Sequence, residues 1–106
     1  MASLFSKQSD IKWTTHARGK MAFYRLSEQR VKRVLHSPKR IEEGIAPGTV
    51  AMMQSAGSKK RPSEIWVMLV TTDKGTKVVS AWRYPGVTKP GEPLPETILK
   101  EISEAI

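Results

Sequence analysis

Residues 13–38 read WTTHARGKMAFYRLSEQRVKRVLHSP and contain the start signals of two consecutive helices. Thr14 or Thr15 can cap a first helix that continues to about Tyr24, because a threonine hydroxyl accepts a hydrogen bond from the free amides at a helix start. Ser27 can cap a second helix in the same way. The stretch therefore predicts a pair of helices at the N-terminal end of the fold.

The second predicted helix has an apolar face and a basic face, and it ends before Pro38 because the residue preceding proline avoids helical angles. The apolar face contains Val31, Val34 and Leu35. The basic face contains Arg30, Lys32, Arg33 and His36. We expect the apolar face to pack on a sheet. For the basic face two interpretations are open: contact with RNA, or a solvated helix surface.

Four later stretches predict strands, namely Arg40–Ile45, Thr49–Ser55, Glu64–Thr72 and Thr76–Arg83. The third, EIWVMLVTT, is apolar on both faces, which is typical of a central, covered strand. A three-residue loop, Asp73–Gly75, joins it to the fourth as a hairpin. Alternation in the fourth strand predicts one face with Val78, Ser80 and Trp82 and another with Val79, Ala81 and Arg83.

The ends of the chain are less regular. We expect residues 1–9 to form a flexible tail and residues 10–106 to form a single domain. The alternation of Ile11–Thr14 is compatible with a short edge strand outside the four. The proline-rich segment 84–95 predicts a loop, and Pro95 can begin a final helix. The predicted fold is α+β, with two N-terminal helices on a four-stranded, mainly antiparallel sheet and a C-terminal helix.

Positive charge is concentrated in the first part of the chain. The net charge is +8, and residues 1–61 contain 13 Lys and Arg against 4 Asp and Glu. Such a field attracts nucleic acid of any sequence. A soluble basic protein without a nucleic-acid role is the alternative. The cations expected to contact nucleic acid are Arg18, Arg30, Lys32, Arg33, Lys59, Lys60 and Arg61.

Several classes of site are improbable on this sequence. The two histidines, His16 and His36, lie on different predicted helices, and no residues have the spacing of a zinc site. Cysteine is absent, no glycine-rich phosphate loop is present, and no stretch is apolar enough to span a membrane. We therefore expect no metal, no cofactor and no membrane partner, and a cytoplasmic location.

Metal-independent cleavage of RNA remains open, because the RNA supplies its own 2′-hydroxyl nucleophile. His16 could be the general base or acid. Lys20, Arg33 and Arg83 could stabilise the developing phosphorane charge, and Ser80 and Tyr84 could bind phosphate or exchange protons. The alternative for His16 is a helix-start histidine bonded to backbone. For Trp66 and Trp82, core packing is preferred to base stacking.

The N-terminal pattern resembles a small bacterial and archaeal domain of uncharacterised function, related to the RelE and BrnT toxin superfamily. The resemblance rests on His16-Ala17, Lys20-Met21 and Leu26-Ser27, followed by the valines, leucine and proline of the second helix. Val78–Arg83 is similar to a late strand of BrnT-type toxins. The resemblance covers about residues 11–84.

The resemblance implies a RelE-like fold and a toxin that binds or cleaves RNA, in association with the ribosome and opposed by an acidic antitoxin. It places His16 at the family's histidine and Lys20 at its arginine. The chain departs from the pattern at Tyr24-Arg25, where the family has Arg-Gly, and at Trp82, which lies between Ala81 and Arg83. A non-catalytic module that binds nucleic acid or an acidic protein is the alternative function.

Overall fold

The computed structural model describes residues 11–44 and 48–90, and in these ranges the chain forms two helices and five strands. The helices are α1, Thr15–Tyr24, and α2, Glu28–His36. The strands are β1, Ile11–Trp13; β2, Arg40–Glu43; β3, Thr49–Gly57; β4, Pro62–Thr72; and β5, Gly75–Pro85. None of the described helices is long and apolar enough to cross a membrane.

The strands form one mixed sheet in the order β1-β5-β4-β3-β2. Neighbours from β2 to β5 pair antiparallel, whereas β1 pairs parallel to β5. Strand β4 lies at the centre, and its residues 64–69 are buried on both faces, as predicted for EIWVMLVTT. The central strands β3, β4 and β5 are the long ones and form the platform on which the helices pack.

The predicted fold is wrong in its sheet. The described residues contain five strands instead of four, and the sheet is mixed because β1 adds a parallel edge beside β5. A three-residue strand carries no information about its partner, which lies about 65 residues away along the chain. The predicted C-terminal helix and the tail at 1–9 lie outside the described residues.

Thr14 joins β1 to α1. Its backbone amide donates to the carbonyl of Val78, and its hydroxyl donates to the carbonyl of Val79 at 3.1 Å. The same hydroxyl accepts from the amide of Ala17 and caps α1. Ser27 caps α2 by accepting from the amide of Arg30 at 3.1 Å. Both predicted caps are confirmed, and Thr14 also fixes α1 against the edge of β5.

The two faces of the sheet differ. The helix face is the one on which α1 and α2 pack, and its core includes Ala17, Met21, Leu26, Val31, Val34, Leu35, Met52, Ile65, Val67, Leu69, Val78 and Ala81. The opposite face, here called the aromatic face, contains Ala51, Met53, Trp66, Met68 and Trp82. The two tryptophan rings stack nearly parallel at 5.9 Å, so both belong to the core.

A β-bulge in β5 changes the predicted alternation. Met68 pairs with Ser80 while Leu69 pairs with Val78, so Val79 is left without a cross-strand partner in the ladder. Val78 therefore lies on the helix face with Ala81, not on the side of Ser80 and Trp82 as simple alternation predicts. After the bulge, the alternation places Arg83 on the helix face.

Candidate nucleic-acid interface

An open pocket of about 460 Å³ lies at the end of the sheet where β4 begins and β5 ends. It is lined by Tyr24, Arg61, Pro62, Ser63, Arg83 and Pro85. Arg30 of α2 is close enough to Arg83, which lines the pocket, for their charges to interact, and it interacts in the same way with Arg33 on its own helix. We call this region, with Arg30, Arg33, Arg61 and Arg83 as its cations, the arginine groove.

Helix α2 supplies two of these arginines from one side of the helix. Arg30 and Arg33 are three residues apart, a spacing that brings side chains together on the helix surface. The Arg30 guanidinium donates to Oε1 of Gln54 in β3 at 2.6 Å. The Gln54 amide in turn donates to the carbonyls of Arg33 and Ser37. Gln54 therefore fixes the C-terminal half of α2 over the sheet and orients Arg30.

Strand β5 supplies Arg83, which reaches the C-terminal end of α1. Its guanidinium donates to the carbonyl of Tyr24 at 3.3 Å. Helix α1 ends there because Arg25 adopts a left-handed conformation, with φ of 57°, and its amide bonds back to Ala22. The last carbonyls of a helix lack helical partners and form the negative end of its dipole. A cation at this position is therefore well placed.

The loop between β3 and β4 supplies Arg61 together with Lys59 and Lys60. Gly57 begins the loop with a φ of 77°, and a Cβ atom there would lie 2.3 Å from the carbonyl oxygen of Arg61. The Ser58 hydroxyl accepts from the Arg61 amide at 3.1 Å, and the Ser58 amide donates to the Arg61 carbonyl. The loop is a compact turn, and its Arg61 lines the pocket.

The charge of the groove is not neutralised by the described part of the chain. The pKa of Arg30 is lowered, first by burial and then by the positive charges of Arg33 and Arg83. Among residues 11–44 and 48–90, the ion pairs join Arg18 to Glu28 and Arg40 to Glu42 and Glu64. None of these pairs includes a groove arginine. Cations held together without acidic partners favour a bound anion.

The predicted catalytic residues do not all face the groove. Arg83 lies in it, but Tyr84 is the next residue of β5 and packs against the aromatic face. Ser80 is fully buried on that same face, and its hydroxyl has no hydrogen-bond partner. The sheet therefore separates Ser80 and Tyr84 from Arg83.

His16 and Lys20 lie on α1, one helical turn apart. The Nε2 atom of His16 is buried and has no hydrogen-bond partner, so the expected bond to backbone is not made through this atom. The Lys20 ammonium is 5.8 Å from the ring centre of Tyr24. His16 is eight residues before Tyr24, which places it about 12 Å from the groove along the helix axis.

The predicted nucleic-acid contacts are divided. Arg30, Arg33 and Arg61 belong to the groove, with Lys59 and Lys60 in the adjoining loop. Lys32 is half-buried on α2. Arg18 points elsewhere, because it pairs with Glu28 at 3.1 Å and lies over the ring of Trp13.

A second polar cluster, which the sequence did not indicate, lies on the aromatic face. Glu64 is 1% exposed and accepts hydrogen bonds from the indole of Trp66 and from the amide and hydroxyl of Thr88. Arg40 approaches Glu64 at 3.8 Å, pairs with Glu42 and lies 5.2 Å from the ring centre of Trp66. We call this the Glu64 cluster. It joins the segment after β5 to the sheet.

No metal-binding group of three or more His, Asp or Glu residues occurs among the described residues. Comparison of the whole chain with known proteins found no matching family model, no matching curated protein and no matching solved structure. The resemblance to the RelE and BrnT superfamily therefore stays a prediction, and functional inference rests on the groove itself.

Proposed function

We propose that this protein binds RNA through the arginine groove. The observation that supports the proposal is that Arg61 and Arg83 line one open pocket and that Arg30 interacts with the charges of Arg83 and Arg33. None of the four has an acidic partner among the described ion pairs. Guanidinium groups bind phosphate through paired hydrogen bonds, which makes arginine the preferred residue for such a surface.

Burial strengthens the case for a ligand. Arg30 is held partly buried beside two other cations, although desolvation and repulsion both oppose its charge. A phosphate in the groove would relieve this repulsion. Arg18 and Arg40 instead have acidic partners, so they offer no comparable gain on binding RNA.

The test is the salt dependence of binding to a labelled single-stranded RNA of about twelve nucleotides, a length within the usual range of such sites. We expect affinity to fall steeply between about 50 and 200 mM salt as counterions are released. The double variant R33Q/R83Q should bind more weakly and with a smaller slope. The matched control is Lys74→Gln, which removes a charge at the opposite end of the β4–β5 hairpin.

Metal-independent cleavage of that RNA is the second candidate. It is favoured by the charge interactions of Arg30 with Arg83 and with Arg33, because neighbouring cations at one phosphate would stabilise a phosphorane. His16 could act only on a strand that continues along α1, because it lies about 12 Å from the groove along the helix axis, whereas Lys20 lies beside Tyr24 at the groove. Ser80 and Tyr84 face the other side of the sheet. This narrows the candidate reacting groups to α1 and the groove.

Cleavage is tested with purified protein and RNA in the presence of EDTA. The proposal predicts fragments with 2′,3′-cyclic phosphate ends and a strong loss of cleavage in Arg83→Gln. The variant His16→Ala tests the general base or acid. Intact RNA that is nevertheless bound would leave a non-catalytic RNA-binding module as the function.

The other expectations of the resemblance, a toxin activity, a ribosome-associated target and an acidic antitoxin, stay predictions. An acidic protein would have to cover the same arginines and would therefore compete with RNA for the groove. We propose a cytoplasmic location for the protein, in keeping with a chain that has no cysteine.

A further inference from the structure

The rim of the arginine groove contains two neighbouring aromatic rings. Phe23 is 76% exposed and is the only aromatic residue among the large apolar side chains exposed in the described residues. Its ring meets that of Tyr24 edge to face at 4.8 Å. Tyr24 lines the groove next to Arg61 and Arg83. A large apolar ring is therefore held in solvent at the edge of a cationic pocket.

The position of Phe23 follows from the end of α1. It is the second-last residue of the helix, and the left-handed Arg25 turns the chain away immediately afterwards. The Lys20 ammonium lies 5.9 Å from the ring centre of Phe23, one helical turn earlier. The two rings therefore lie between two cations, with Lys20 beside both rings and Arg83 bonded to the carbonyl of Tyr24.

We propose that Phe23 and Tyr24 form a base-stacking platform, so that the RNA bound in the groove is an unpaired strand. The inference rests on the proposed function and specifies its substrate class. Proteins that bind single strands combine a positively charged path for the backbone with aromatic side chains on which bases stack. A duplex has its bases stacked internally and presents mainly phosphates and 2′-hydroxyls, so exposed rings would gain little from it.

The experiment compares three RNA probes of about twelve nucleotides. One is an unpaired oligoadenylate, one is an abasic strand with the same phosphates and no bases, and one is a blunt duplex. We expect the oligoadenylate to bind at least about tenfold more tightly than the abasic strand, because each stacked base contributes to affinity. Binding to the duplex should be weaker than to the oligoadenylate at equal salt.

Variants at Phe23 separate stacking from charge. Phe23→Leu keeps an apolar side chain but removes the ring, and we expect it to weaken oligoadenylate binding about five- to tenfold without changing the salt slope. Phe23→Trp, which keeps an aromatic ring, should bind the oligoadenylate as tightly as the unaltered protein does. Because Phe23 is exposed, neither variant should change the thermal midpoint by more than a small amount.

The outcomes distinguish the two proposals. Weak binding of all three probes, with no loss in R33Q/R83Q, would reject the RNA-binding function itself. Equal binding of the oligoadenylate and abasic strands, with no effect of Phe23→Leu, would leave the RNA function standing and reject the platform. Equal competition by polyglutamate and oligoadenylate, with no effect of Phe23→Leu, would indicate an acidic protein partner and also reject it.

Discussion

Arginine plays opposite parts in two regions of this molecule. In the Glu64 cluster, Arg40 is mostly buried, lies over Trp66 and has carboxylates from Glu42 and Glu64 within reach. In the arginine groove, Arg30 interacts with the like charges of Arg33 and Arg83, and none of the three has a carboxylate partner among the described ion pairs. The first arrangement stabilises the fold. The second brings like charges together and therefore favours a bound anion.

The comparison shows that net charge alone does not locate a binding surface. The chain has 18 basic residues, and Arg18 and Arg40 are engaged by acidic groups. What distinguishes the groove is that, within residues 11–44 and 48–90, no ion pair joins its cations to an acidic group. Substitutions should therefore separate the two regions: those in the Glu64 cluster should change stability, and those in the groove should change RNA binding.

The largest expected effect is on stability, at Glu64. Replacement by alanine leaves the indole of Trp66, the Thr88 amide and hydroxyl, and Arg40 without their buried acceptor. We expect Glu64→Ala to lower the free energy of unfolding by about 3 kcal/mol. Chemical denaturation measures the loss. The control Glu43→Ala, on the exposed side of β2, should change it by less than about 0.5 kcal/mol.

A loss below about 1 kcal/mol for Glu64→Ala would show that the cluster is not a stabilising unit. RNA affinity of this variant should equal that of the unaltered protein under conditions where both are folded. A large loss of affinity in folded Glu64→Ala would contradict the division of labour between the two regions.

The next effect concerns the turn that presents Arg61. Gly57→Ala adds a Cβ atom 2.3 Å from the Arg61 carbonyl and also strains a backbone with positive φ. We expect a loss of about 2 kcal/mol in stability together with weaker RNA binding, because the turn must shift. Gly48→Ala is the matched control. Gly48 has a φ of 81° but open space around it, so only the conformational strain of about 1 kcal/mol should appear, with unchanged RNA binding.

Within the groove, a single substitution should have a smaller effect, seen in binding and not in stability. Arg33→Gln removes one cation and lowers the repulsion on Arg30. We expect unchanged or slightly increased stability and a reduction of about 0.7 in the salt slope of RNA binding. Fluorescence anisotropy at several salt concentrations measures it. A slope that equals that of Lys74→Gln would place Arg33 outside the interface.

The smallest effect should leave both regions untouched. Gly19 lies in the exposed middle of α1, and a Cβ atom there would meet no atom within 4 Å. Close packing against another backbone therefore does not require a glycine at this position. Gly19→Ala should raise the free energy of unfolding by about 1 kcal/mol and leave RNA affinity unchanged. A thermal melt measures the change in stability. A midpoint below that of the unaltered protein would show that Gly19 has another structural role.

Local features of the fold could be predicted from the sequence. The Thr14 and Ser27 caps, both helices and the central position of β4 follow from residues that interact with near neighbours or from hydrophobic periodicity. The parallel pairing of β1 and the bulge at Val79 could not be predicted. Both depend on contacts with residues far away along the chain, which local alternation does not specify.

The groove was predictable only in part. The helical spacing of Arg30 and Arg33 indicated a shared basic face, but nothing local indicated that Arg61 and Arg83 would join it. Gln54, which orients Arg30, directly follows the apolar run 50–53 of β3, and no local pattern indicates its role. Ser80 and Tyr84 lie on the face opposite Arg83, and the alternation predicted for this strand already separates Ser80 from Arg83.

The most direct test is to map the RNA contact surface by nuclear magnetic resonance. Amide signals are followed during titration with an unpaired oligoadenylate. Binding in the groove predicts the largest shifts at Tyr24, at Arg30 and Arg33, in the loop 58–63 and at Arg83. Largest shifts instead at Lys12, Lys74 and Lys77, around the opposite end of the sheet, would contradict the assignment of the arginine groove as the RNA-binding site.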